Sequence, residues 1–221
     1  MKISIGPDGF LAVCGVLFSN NSKAGFICFL CAMIHELGHI CAAKFMSIRL
    51  REIRLGFAGA RIYPADENMP YKKEFFLCAC GPIFNLISAL AAAVALTFLS
   101  KGESIPTSLA ISDAISILDG SGEGIISALY LFISVSLLQA FLNLLPVESL
   151  DGGRMMVSAI SQFGDVHTAQ RAQTVSTALA AVTLWTLSVY ILLRTGNGIG
   201  VLVSAACMFS KILSRELTKN S

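Results

Sequence analysis

Between Lys23 and Glu36 the chain carries no charged side chain, and the apolar run continues past Glu36 until Lys44. About 20 predominantly apolar residues suffice for an α-helix to cross the hydrocarbon core of a bilayer. A segment in lipid must satisfy its own backbone hydrogen bonds, so helix is the form such a run takes. Comparable runs recur, which constrains the fold more than any other feature. Six candidate spans are read: Phe10–Ser19, Ala24–Met46, Phe75–Leu99, Gly124–Leu145, Ala172–Leu193 and Gly198–Leu213. The first is short, and Gly196, Gly198 and Gly200 weaken the start of the last. Only 14 % of the 221 residues are charged, against about 25 % in soluble domains. The expected fold is an all-α polytopic membrane protein. It is read as a single domain, 1–221, with core spans over 24–165 and accessory C-terminal spans over 172–213.

Charge placement orients these spans. With a cytoplasmic N-terminus, the inner side holds Lys2, seven basic residues from Lys44 to Lys73, Arg154, Arg171, and Lys211, Arg215 and Lys219. Those thirteen face three outside, namely Lys23, Lys101 and Arg194. This is a positive-inside bias, and it predicts a multi-pass membrane protein with both termini in the cytoplasm. The outer loop 101–123 is acidic, with Glu103, Asp113, Asp119 and Glu123. Basic residues distributed in this way are a topology signal, and no nucleic-acid partner is implied. No cleavable signal peptide, internal repeat or soluble accessory domain is expected. Seven cysteines, most in apolar spans, suggest helix packing rather than a disulfide framework.

Within the second run lies His35-Glu36-Leu37-Gly38-His39. Residues four apart share a helix face, so His35 and His39 can offer two imidazoles to one metal ion. Glu36 projects beside them, where a carboxylate can deprotonate an attacking water. With three His and eight Glu in the chain, such a motif arises by chance in roughly one shuffled sequence per thousand. Ionisable residues inside a span are costly and mark function. The expectation is hydrolysis within the membrane, by one Zn2+ per chain.

A catalytic zinc takes three protein ligands and keeps one position open. Asp151 is the favoured third ligand, in Asn143-Leu144-Leu145-Pro146-Val147-Glu148-Ser149-Leu150-Asp151-Gly152-Gly153. There a span ends at Pro146, and proline and glycine favour a non-helical backbone that could swing the carboxylate toward another helix. The topology places Asp151 at the inner end of its span, at the depth of His35 and His39. Glu148 is a rival ligand, His167 a weaker one, and an N-cap on a following helix is the other role open to Asp151. Cys28 and Cys31 fall on the helical stripe of the two histidines, yet thiolates in lipid are costly and packing is the favoured reading.

HELGH inside a span, followed by Asn143-Leu144-Leu145-Pro146 and Leu150-Asp151-Gly152-Gly153, resembles the site-2 protease family of intramembrane zinc metalloproteases. Gly81-Pro82-Ile83-Phe84-Asn85 resembles that family's GPxxN element. The six-span plan resembles the branch of the stage IV sporulation factor FB proteases, without their CBS domain. The resemblance implies zinc held by His35, His39 and Asp151, with Glu36 as general base. It also implies substrate-placing roles for Asn85 and Asn143. Ser149 departs from the family pattern, which usually has a second proline there. Ile48–Tyr63 alternates apolar and basic residues as strands do, and resembles the small membrane-associated β-loop that follows the second helix in the family. The implied partners are the bilayer, a membrane-embedded or membrane-tethered protein substrate and regulatory membrane proteins, in a bacterial cell membrane. A non-proteolytic metal-binding adaptor or transporter subunit is the competing reading. Metal transporters, however, spread polar groups along a path, whereas here they gather at one depth.

Overall fold

The computed structural model describes residues 2–5, 22–48, 50–56, 59–64, 69–99, 124–148 and 150–195. The expected spans Phe10–Ser19 and Gly198–Leu213, the loop 101–123 and Ser149 lie outside them. The chain divides into two compact units, Met1–Leu144 and Leu145–Ser221.

Among the described residues, the first unit contains three long helices: α1 (Ser22–Phe45), α2 (Tyr71–Leu99) and α3 (Ile125–Leu144). At 1.5 Å per residue they run about 36, 44 and 30 Å, each enough for the hydrocarbon core. Their bounds fall within four residues of the expected spans, and all three are long and apolar enough to cross a membrane. Each packs against the other two. The burial pattern on α1 is the reverse of a soluble helix. Phe26, Phe29, Leu30, Met33 and Leu37 are exposed, while His35, Glu36 and His39 are buried. An array of large apolar side chains facing outward is stable in lipid and not in water, so the protein is a membrane protein.

Small residues set the spacing between α1 and α2. A Cβ on Gly38 would lie 2.5 Å from the carbonyl oxygen of Cys80, so only glycine lets the two backbones pass so closely. One turn further on, Ala42 and Ala43 form a buried cluster with Leu77. On another face, Ile27 and Cys31 pack against Leu131 of α3. Helix α1 then stops in a defined way. Ser47 adopts a left-handed backbone, φ 53°, its N–H donates to Lys44 O, and the N–H of Ile48 reaches back to Ala43 O at 2.8 Å. This is a Schellman motif, and Ile48 adds its apolar contact by packing onto the Ala42–Leu77 cluster. The ammonium of Lys73 donates to Met46 O at 3.2 Å and ties this end to the start of α2.

Three strands form one sheet in the order β1 (Lys2–Ile5), β2 (Leu50–Gly56), β3 (Gly59–Pro64). β2 and β3 are antiparallel, with Ile53 opposite Ile62 and Gly56 opposite Gly59. β1 runs parallel to β2, with Ile3 opposite Ile53; no strand is expected there from the residue pattern. β3 contacts α1.

In the second unit an irregular segment, Leu145–Glu148, precedes α4 (Asp151–Phe163) and α5 (Val166–Thr195), which pack together. The expected span Ala172–Leu193 lies inside α5. The irregular segment is fastened to α5 twice. The hydroxyl of Ser176 donates to Pro146 O, and the N–H of Glu148 donates to Thr177 Oγ1 at 3.0 Å.

The glycine pair after Asp151 differs from expectation. Gly152 and Gly153 belong to the helix and are buried in it; the non-helical backbone lies wholly before Asp151. A Cβ at Gly153 would collide with the Val147 carbonyl. The glycine therefore lets the preceding turn fold tightly onto the first turn of α4.

Candidate metal centre

Residues 35 and 39 lie one helical turn apart on α1, and their imidazoles meet edge to face, with ring centroids 4.8 Å apart and planes at 82°. The two Nε2 atoms are 3.1 Å apart. Two nitrogens bound tetrahedrally to one zinc at 2.0–2.1 Å would be separated by about 3.3 Å, so the pair is set close to ligating geometry. His35 and His39 are 4 % and 5 % exposed, and Glu36 between them is 7 % exposed. Burying this cluster without compensation would be costly.

Helix α2 supplies the outer support. The carbonyl oxygen of Leu77 lies 2.8 Å from Nδ1 of His39. A carbonyl can only accept, so Nδ1 carries the proton and Nε2 presents its lone pair. That is the usual way a protein fixes a ligating histidine. The amide of Asn85 lies 3.4 Å from Nδ1 of His35. Pro82 sits inside the same helix and has no N–H to offer the Cys78 carbonyl.

Gly81 faces the imidazoles: a Cβ there would lie within 2.6 Å of both Nε2 atoms. The space into which the two lone pairs point exists because this residue has no side chain. Converging imidazole nitrogens, a bare glycine opposite them and a carboxylate alongside fit a zinc ion. Two converging imidazole nitrogens are part of the donor set found in hydrolytic zinc sites.

The remaining sequence candidates are placed as follows. Asp151 is the first residue of α4. The cap position belongs to Leu150, whose side chain makes no capping bond, so the N-cap role open to Asp151 is taken by its neighbour. Asn143 is half-buried near the end of α3, and its amide nitrogen donates to Gln139 O of the same helix at 3.1 Å. His167 is exposed at the start of α5. The CxxC pair diverges: Cys28 is exposed, and Cys31 is buried against α3, its Sγ 3.2 Å from Ser136 Oγ. For Cys31 this is the expected packing; Cys28 does not share it. Sequence reasoning missed the Leu77 carbonyl, because a backbone acceptor has no residue signature. It met Gly81 only as part of a motif.

Helices of membrane length, exposed apolar faces and a buried HExxH turn place the chain among membrane proteins with a metallopeptidase-type motif. Residues 24–187 match peptidase family M50, and the chain belongs to that family. It is 28 % identical over 163 residues to stage IV sporulation protein FB of Bacillus subtilis (strain 168). That alignment takes in 73 % of this chain and 49 % of the relative, so the chain spans about half the length of the curated relative it matches. The fold is similar to that of the site-2 protease from Methanocaldococcus jannaschii, with a TM-score of 0.56 at 20 % identity. The superposition covers 97 % of this chain and 91 % of that one. The resemblance to the site-2 proteases holds.

Proposed function

We propose that this protein is an intramembrane zinc metalloprotease that cleaves a membrane-embedded or membrane-tethered protein near the cytoplasmic face. The observation that carries the proposal is the 3.1 Å approach of two buried imidazole Nε2 atoms beside a buried glutamate, on a helix whose other face is apolar and exposed. His35, His39 and Asp151 hold the metal. Asp151 is favoured because it opens a helix after a segment fastened by Ser176 and Thr177, and because the charge-derived topology sets it at the depth of the histidines.

A zinc ion held by these residues would lower the pKa of a water toward neutrality and polarise the scissile carbonyl. Glu36 accepts a proton from the attacking water and delivers it to the leaving amide nitrogen. A helical substrate has its carbonyls bonded internally, so it must unwind first. Residues that weaken the helix near the scissile bond favour this step. The strand β3 lies at an edge of the sheet and contacts α1. We assign it the role of the membrane-associated β-loop, onto which an unwound segment adds as a further strand. Asn143 serves substrate placement on the family pattern, which also puts Asn85 near the active site. The full span count is six, with the N- and C-termini cytoplasmic.

The test compares peptides released from membranes carrying wild type or Glu36→Gln together with a tethered candidate substrate. Release by wild type alone supports the proposal. Equal release by both leaves the adaptor or transporter reading in its place.

A further inference from the structure

Asn85 is fully buried on α2, 0 % exposed. Its Nδ2 lies 3.4 Å from Nδ1 of His35, while its Oδ1 has no hydrogen-bond partner among the described residues. The oxygen is the side chain's one acceptor, and here it is orphaned. An amide's oxygen and nitrogen are interchangeable in shape, and the hydrogen-bond network decides their assignment.

That network depends on which nitrogen of His35 carries the proton. For Nε2 to offer a lone pair to a metal, Nδ1 must be protonated. A protonated Nδ1 facing an NH2 group sets two donors against each other. Turning the amide by half a revolution removes the conflict, because Oδ1 then accepts from Nδ1–H. His35 is held in the ligating tautomer, as the Leu77 carbonyl holds His39. The freed NH2 group then occupies the place of the orphaned oxygen.

We infer that Asn85 is a positioning residue for the metal centre, whose amide oxygen fixes the tautomer and ring orientation of His35. The inference rests on the reading of His35 as a zinc ligand. It goes beyond that reading by giving a buried side chain one acceptor function that aspartate can replace and leucine cannot. Outer partners of this kind change metal affinity by about 10–100-fold when removed.

The test is zinc affinity of the full chain in detergent, measured by competition with a chromophoric chelator. Wild type, Asn85→Asp, Asn85→Leu and His35→Ala are compared. Asn85→Asp, an acceptor without donors, is expected to stay within about threefold of wild type, and Asn85→Leu to weaken binding by about 10–100-fold. Asn85→Leu binding like wild type overturns the inference, as does Asn85→Asp binding as weakly as Asn85→Leu. Should the leucine variant fail to fold, nitrogen-15 NMR of zinc-loaded wild type decides. A protonated Nδ1 on His35, kept in Asn85→Asp, supports the inference; an unprotonated Nδ1 overturns it. His35→Ala binding zinc as tightly as wild type removes the metal-centre reading itself, which is a separate failure from that of the asparagine.

Discussion

A Cβ placed on Gly81 would lie 2.5 Å from Nε2 of His39. Side-chain carbons do not approach nitrogen so closely, and the other imidazole, at 2.6 Å, closes off the escape. Gly81 therefore sets the room available to whatever the imidazoles bind. The substitution Gly81→Ala is expected to lower zinc affinity by more than tenfold while leaving the helix content unchanged. The metal-to-protein ratio after dialysis, read beside circular dichroism, checks this. A fully loaded alanine variant would mean that the imidazoles do not ligate from these positions.

Glu36 and its neighbours separate metal binding from proton transfer. Replacing the carboxylate by an amide keeps its volume and removes its basicity. Glu36→Gln should stay folded and zinc-loaded and lose cleavage by at least about 10²-fold, the usual range for a positioned general base. Metal analysis and peptide release on one preparation read both quantities. Retained cleavage would transfer the proton chemistry to another group.

How far was this arrangement legible in the sequence? The three membrane helices were, because lipid demands unbroken apolar length and Ala24–Met46, Phe75–Leu99 and Gly124–Leu145 have it. So was the imidazole pair, since a separation of four residues dictates a shared face. What escaped depends on non-local or backbone geometry. β1 pairs with β2 across a separation of fifty residues. The orienting group for His39 is a main-chain carbonyl 38 residues away. The role of Gly153 follows from the path of the Val147 carbonyl, not from its own backbone freedom.

The cysteine pair offers a control on the ligand set. Cys31 is committed to Ser136 of α3 at 3.2 Å, and Cys28 faces outward. Replacing both by alanine should leave zinc stoichiometry unchanged. It should cost a little stability through the cavity left at Cys31, on the order of 1 kcal/mol. Thermal unfolding in detergent and metal content read the two effects. Loss of zinc on replacement would make a thiolate part of the centre.

Asp151 poses the sharpest question, because two roles for it predict different things. As first residue of α4 its carboxylate lies in the helix's first turn, where negative charge is favoured by the backbone dipole. If that were its whole purpose, Asp151→Asn would cost about 0.3–1 kcal/mol of stability and leave zinc binding intact. As a metal ligand it would behave otherwise: the amide is a poor zinc donor, so occupancy should fall at least tenfold and cleavage with it, while unfolding shifts little. Glu148, the rival, has its backbone N–H held by Thr177, and Glu148→Gln should leave zinc content near wild type. Measuring metal content and unfolding temperature for both variants separates the outcomes. Zinc lost from Asp151→Asn alone assigns the third ligand to Asp151, zinc lost from Glu148→Gln alone moves it to Glu148, and a stability change with full zinc in both leaves Asp151 a structural role at the helix start.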